Sequence, residues 1–433
     1  MRHHFKRTIT LLLLLALGCS TSDDDSISSF FVDGLHVVLK TSADSSGALG
    51  FYLRGGNNYI GRDRIGLESL LWHLSVTGTE TRTGMELART MDGLGTEFKI
   101  VDDHDFTGIE LEYDAGDYER GWDLLSDVIL NPRLAPDALD LAKEQALLDL
   151  KLSESDKHQL ASAPGHDFFF KGHGYEWNPA GDEDQIAAFT RNDLIQFHRN
   201  DLTKTRAVLV IVGQVNIKEL TADVRNLAAR LPLGPELLLP ALAFDHGEPD
   251  LITTRIRGSD NHVSIFFSAP KFGHPDYPAF VIGMEYLEDR VHAELVDRYR
   301  LAEVVDVGFA KRQSNFGYIH LICDETIPAI NGALDIIKTI SQIDLSVQQL
   351  DRSIARSILR YRMTNQTPTE QLQNLVRWEL VGESWEKSEQ FIPELTVVQS
   401  GQVKRAFRRY CTDYHVAVVG PDRVRKSAIN FQR

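Results

Sequence analysis

Apolar residues alternate with polar ones on either side of Asp33-Gly34, from Phe31 to Leu39. That pattern predicts a strand pair closed by a tight turn. A second strand is predicted over 48–53. The period then changes: Leu67, Leu70, Leu71 and Leu74 share one face at helical spacing, which predicts a helix over 66–74. A further helix over 85–94 stops at Gly95. Residues 98–101 and 107–113 read as paired strands. An amphipathic helix over 117–130 is stopped by Asn131-Pro132, and a long helix follows over about 136–153. The unbroken apolar run 207–212, ended by Gly213, reads as a strand buried on both faces.

The second half repeats this order. Ile109-Glu110-Leu111-Glu112-Tyr113-Asp114 and the following helix through Leu125 are echoed by Ile319-His320-Leu321-Ile322-Cys323-Asp324 and the helix through Ile337. The stretch from Phe197 to Gly213 is echoed by Phe407 to Gly420. We therefore expect an α+β protein of two homologous halves, 31–230 and 250–433. The intervening 231–249 holds Pro232, Pro235, Pro240 and Pro249, as a linker does.

The first thirty residues stand apart. Arg2, Lys6 and Arg7 precede a short apolar stretch, Ile9 to Leu17, which is too short to span a bilayer. Ala16-Leu17-Gly18-Cys19 resembles a bacterial lipoprotein motif, with Ala16 and Leu17 exchanged. The resemblance implies a signal peptide over 1–18 and lipidation of Cys19. With Ser20 rather than Asp after the cysteine, it implies the outer membrane of the cell envelope. Residues 19–30, rich in Ser and Asp, read as a flexible tether. Cys323 and Cys411 remain after maturation and read as two separate buried thiols. The formal net charge of −16 over 433 residues argues against nucleic-acid binding, because phosphate would be repelled over most of the surface.

Gly66-Leu67-Glu68-Ser69-Leu70-Leu71-Trp72-His73-Leu74, then Thr77-Gly78-Thr79, is followed in order by further motifs. These are Leu94-Gly95-Thr96, Asp105-Phe106-Thr107, Asn131-Pro132-Arg133-Leu134, His173-Gly174-Tyr175, 193–198 and Val210-Ile211-Val212-Gly213. In order and spacing this series resembles the insulinase/pitrilysin family of zinc metallopeptidases. The resemblance implies two halves, each a mostly antiparallel sheet with helices, closing like a clam shell. It also implies a zinc held by two His one helical turn apart and by a Glu on the later long helix, with a Glu between the His as general base.

At those positions this chain has Ser69 for the first His, Trp72 for the general base and His73 for the second His. The third ligand falls at about Lys151, or at Leu150 if the register slips by one. A hydroxyl, an indole, one imidazole and an ammonium are not a zinc site, so no metal is expected and no residue is assigned a catalytic role. Glu68 lies off the face of His73. Asp102-Asp103-His104-Asp105 is the densest cluster of ligand-type side chains, but a polar turn is expected at that strand junction. His158, His166 and His173 fall in a stretch read as loop, without ligand spacing, although His166 and His173 could face each other.

The family's substrate-holding Arg and Tyr correspond to Val296 and Glu303, with Arg298 or Arg300 as substitutes if the register shifts. An exposed helix face is the commoner explanation of those two arginines. The expectation is a non-catalytic lipoprotein subunit that pairs with an active zinc peptidase of the same family, binds peptides in the cell envelope, or does both. A zinc metalloendopeptidase with a rearranged site and a stand-alone peptide-binding lipoprotein are the alternatives.

Overall fold

The chain is described by a computed structural model covering residues 26–42, 44–155, 157–237 and 247–431, apart from the side chains of 58, 153–155 and 157–161. It opens with β1 (Ile27–Val32) and β2 (Leu35–Lys40), joined through Asp33 and Gly34 at φ 48° and 89°. Positive φ at both central residues gives the turn a twist that matches the strands. Next come β3 (Ser46–Arg54), α1 (Gly56–Ile60), α2 (Leu67–Ser75), α3 (Gly84–Asp92), β4 (Lys99–Asp102) and β5 (Phe106–Asp114). A helical stretch holds α4 (Tyr118–Leu130), α5 (Pro136–Ser155), α6 (Lys157–Phe169), α7 (Glu183–Ala188) and α8 (Arg191–Asn200). Strand β6 (Ala207–Val212) and helix α9 (Ile217–Arg230) close the first half.

The second half runs β7 (Asp250–Arg255), β8 (Asn261–Ser268), α10 (Tyr277–Val291), a π-helical turn His292–Arg298, β9 (Val304–Phe309) and β10 (Phe316–Cys323). It ends with α11 (Thr326–Gln342), α12 (Val347–Met363), α13 (Pro368–Leu380), α14 (Glu386–Thr396), α15 (Ser400–Tyr410) and β11 (His415–Gly420).

Among the described residues the strands form two sheets, ordered β1-β2-β6-β3-β5-β4 and β7-β11-β8-β10-β9. Each is antiparallel except for one parallel pair, β2 with β6 and β7 with β11. The fold is thus mixed α+β, with two sheets of matching topology, each packed with helices. The repeated text lies in equivalent places: β5 matches β10, α4 matches α11, α8 matches α15 and β6 matches β11. Every residue of β6 and of β11 is buried, as an uninterrupted apolar run between two covered faces requires.

The two halves are interlocked by an exchange. Helix α6 of the first half lies on β8 and β11, and α13 of the second half lies on β3 and β6. Polar bonds fix the α13 contact: Lys40 Nζ donates to Gln371 Oε1 at 2.8 Å, and Gln373 Nε2 donates to Glu110 Oε2 at 2.8 Å. Under α6 the approach is close enough that a Cβ on Gly165 would lie 2.4 Å from the Phe266 ring and 3.2 Å from Ala417.

Two expectations need correction. Residues 27–30 are strand, not tether, because they pair with β2 in a ladder that runs Ile27↔Lys40 to Val32↔Leu35. The stretch holding His158 and His166 is helix α6, not loop, because it covers a face of the second sheet. Cys323 and Cys411 are both buried and unpaired. Residues 1–25, with the signal segment and Cys19, and residues 238–246 of the linker lie outside the described residues.

Gly165→Ala therefore crowds the exchanged helix against Phe266. It should destabilise the chain by about 1–3 kcal/mol in urea or thermal unfolding, the usual cost of overpacking.

Candidate functional site

The candidate site is built on α2, the helix that follows β3. It starts at Gly66, whose φ of 87° and tight approach to the Ala180 carbonyl exclude a side chain. Every residue of α2 is buried except His73. On one side Glu68 forms a buried ion pair with Arg206 and accepts from Thr107 Oγ1 at 3.1 Å. Arg206 also donates to the Arg54 and Asp201 carbonyls and stacks 3.9 Å from the Tyr59 ring. With its acidic partner present and its donors bonded, the buried guanidinium is compensated. Glu68 is thereby held away from His73.

Ser69, Trp72 and His73 have different fates. The Ser69 hydroxyl donates to Asp102 Oδ2 at 2.7 Å, tying α2 to the last residue of β4. Asp102 is half-buried, and its enclosed Oδ1 has no hydrogen-bond partner. Burial pushes its carboxyl up to about 6 against the Ser69 bond, with Glu68 and Asp149 adding to the rise. Trp72 has no exposed surface, and its ring meets Phe51 edge-on at 6.2 Å. Its indole N–H has no hydrogen-bond partner, so the ring sits there for its apolar surface.

His73 reaches toward α5, where Nε2 is 4.0 Å from Asp149 Oδ2. Burial lowers the His73 pKa, against the pull of Asp149. The residue facing α2 is therefore Asp149, not Lys151. Two residues further along α5 is a rotation of about 200°. Lys151 accordingly points outward, with its Nζ 3.9 Å from Glu183 Oε1. Leu150 is buried on the apolar side of α5 with Ala142 and Ala146.

Zinc takes three or four N, O or S ligands at about 2.0–2.3 Å. Here the Ser69 hydroxyl is committed to Asp102, and an indole replaces the general base. His73 and Asp149 form the remaining pair. Among the described residues no group of three His, Cys, Asp or Glu is arranged to hold a metal ion. The residues present do not fit a zinc ion bound as in such peptidases.

The second half has its own version of this site, which sequence reasoning missed. Helix α10 follows β8 as α2 follows β3, and it packs on α12 as α2 packs on α5. It presents Glu285, Glu288 and Asp289 at the same i, i+3, i+4 spacing as Ser69, Trp72 and His73. Arg360 Nε lies 2.9 Å from Glu285 Oε1, and its Nη2 lies 2.7 Å from Glu288 Oε2. Arg356 contacts all three carboxylates. Two guanidiniums thus bridge helices α10 and α12. The repeat, carried through to α10, was the signal that could have found them.

The expected substrate positions do not converge on α2. Val296 is half-buried in the π-helical turn, which packs against α10, α11 and β9 of its own half. Glu303 is exposed, and its N–H donates to the Ile322 carbonyl. Arg298 and Arg300 lie exposed at the end of that turn, with the Arg298 guanidinium 4.8 Å from the centroid of the neighbouring Tyr299 ring.

A two-sheet fold with a turn of this kind defines a peptidase-like scaffold whose metal-binding positions are altered. Residues 36–174 match the family model for insulinase (peptidase family M16), and residues 188–357 match the model for the peptidase M16 inactive domain. The chain belongs to the insulinase family, as a degenerate member. It is 27% identical over 241 residues to an uncharacterized zinc protease of Mycobacterium leprae, covering 55% of this chain and 54% of that one. It is 21% identical over 260 residues to cytochrome b-c1 complex subunit 1 of Bos taurus, covering 58% and 52%. The chain spans about half the length of the curated relatives it matches. The crystal structure of a peptidase M16 inactive domain from Pseudomonas fluorescens shares the fold, with a TM-score of 0.82 and 18% identity over 92% of this chain and 99% of that one.

The raised Asp102 pKa gives a test with a definite sign. A group with a higher pKa folded than unfolded favours the fold at low pH and loses that contribution as pH rises through about 6. Asp102→Asn removes the loss. Urea unfolding of the variant relative to the parent should shift in its favour by on the order of 2–3 kcal/mol between pH 4 and pH 8.

Proposed function

We propose that this chain is a non-catalytic lipoprotein subunit of the bacterial cell envelope that pairs with an active zinc peptidase of its own family and binds peptides. The observation that carries the reading is Trp72, a fully buried indole where such an enzyme holds the carboxylate that activates water. A general base must reach the proton it removes, and an indole has no lone pair to offer it. The scaffold around the turn is nonetheless complete, which suits a role in binding.

Peptide binding is supported by β4. It is the outer strand of the first sheet, pairs with β5, and is tied to α2 through Ser69 and Asp102. An edge of this kind accepts an extended peptide through main-chain hydrogen bonds. Pairing is supported by the bovine relative, which is by name a subunit of a complex. The lipid anchor and outer-membrane location rest on the Ala16–Cys19 motif alone. No zinc is expected in this subunit; the partner would supply it.

One observation favours a second reading, a zinc peptidase with a rearranged site: His73 and Asp149 still face each other across α2 and α5. The Mycobacterium leprae relative is named as a zinc protease. The purified chain, given zinc and a mixed peptide library, should leave the peptides intact. Zinc-dependent hydrolysis abolished by His73→Ala would establish the second reading instead. Affinity purification of the tagged full-length chain from its native envelope should recover a second chain carrying His-x-x-Glu-His. Recovery of the tagged chain alone would point to a stand-alone peptide-binding lipoprotein.

A further inference from the structure

Where the two halves meet, the imidazoles of His104, His166 and His173 gather against the loop between β9 and β10. The first half contributes the β4–β5 turn with Asp103, His104 and Asp105, then His166 and Asp167 from α6, and His173, Tyr175 and Glu176 just beyond it. The second half contributes Lys311, Arg312, Gln313 and Ser314 from the loop and Arg377 from α13. The His104 ring lies 5.6 Å from that of His166 and 4.9 Å from that of Tyr175.

Two of these imidazoles receive hydrogen bonds from groups that can only donate. Arg312 Nη1 lies 3.2 Å from His166 Nε2, and the Tyr175 backbone N–H donates to His173 Nδ1 at 3.0 Å. A guanidinium and an amide N–H have no lone pair to offer, so each ring nitrogen must be unprotonated for the contact to exist. His173 Nε2 then faces Ser314 Oγ across the junction at 3.3 Å. A proton on His166 would set an imidazolium against Arg312, and a proton on His173 would remove the acceptor that caps the turn at Tyr175. Both His104 nitrogens are buried without a hydrogen bond of ordinary geometry.

We propose that this junction is an acid-sensitive clasp: on acidification its imidazoles take up protons, and the 310–315 loop parts from residues 166–175.

The surrounding charges decide the sign. Burial lowers the pKa of all three imidazoles, and for His104 and His166 the Arg312 charge adds to the effect. The open form therefore binds protons more readily at these rings, and acid favours it. Asp105 accepts from the Tyr175 hydroxyl and from the Gln313 N–H. Burial, with Asp103 beside it, pushes its carboxyl up to about 6, so it works in the opposite sense. Asp103 is held by Arg377 at 3.0 Å, Asp167 lies 3.8 Å from His166 Nδ1, and Glu176 accepts from the Gly172 N–H. Arg377 also donates to the Lys311 carbonyl. Three imidazoles outweigh one carboxyl, and each net proton taken up favours opening by as much as about tenfold per pH unit.

Hydrogen exchange on the full chain, corrected for intrinsic rates, tests the clasp. Between pH 7.5 and pH 5.0, exchange in 310–316 and 170–176 should rise at least about tenfold, while β3 and β6 stay protected. The double variant His166→Gln/His173→Asn keeps an acceptor at each place but cannot charge, and it should lose the response. His166→Gln alone should reduce it, which keeps the test open if the double variant misfolds. An unchanged exchange rate in the parent chain, or a full response in variants that fold, would overturn the proposal.

Discussion

Helix α2 is buried along its whole length apart from His73, and the rest of the candidate site depends on that burial. A metal site needs polar groups converging on a space that an ion can enter. Here the convergence is toward hydrocarbon instead: Trp72 against Phe51, with Leu70, Leu71 and Leu74 beside it. An aromatic side chain so enclosed contributes roughly 3–5 kcal/mol to stability. A carboxylate in its place would have to be paired or protonated. The same turn cannot satisfy both demands, so the burial of Trp72 and the absence of a base are one fact seen twice.

The polar groups that remain have been drawn into structural work. Ser69 bonds Asp102 and so anchors the edge strand β4 to α2. Glu68 neutralises Arg206 beneath the same helix. In the second half the equivalent helix pair is bridged by Arg356 and Arg360 against three carboxylates. The pair α2–α5 thus meets through apolar burial and the His73–Asp149 contact, and α10–α12 adds a bridge of charge to its apolar packing. The exchange of α6 and α13 then fastens the halves to each other, which places the histidine cluster at the joint.

Local periodicity made much of this legible in advance. The turn at Ser69, Trp72 and His73 could be read because its positions lie within one helical turn, and β6 and β11 because unbroken apolar runs mark strands covered on both faces. Asp149 is not legible in the sequence, because a slip of two residues over the long gap from His73 turns a helix almost to its opposite side, where Lys151 lies. The start of β1 at Ile27 was hidden by its serines, whose polarity resembles a tether until β2 is seen beside it. The exchange of α6 and α13 joins residues far apart in the chain, and hydrophobic spacing does not say which sheet a helix will cover. Glu285, Glu288 and Asp289 carry no metal-ligand spacing of their own, and the arginines that match them lie some seventy residues away on α12, so the sequence does not single them out.

The turn at Ser69, Trp72 and His73 does not fit a zinc ion. Zinc titration of the purified full-length chain by calorimetry, with diffraction at the zinc absorption edge on crystals grown with the metal, addresses this directly. No stoichiometric binding and no anomalous peak at α2 are expected. A tetrahedral ion seated on His73 and Asp149 with one metal per chain would contradict this.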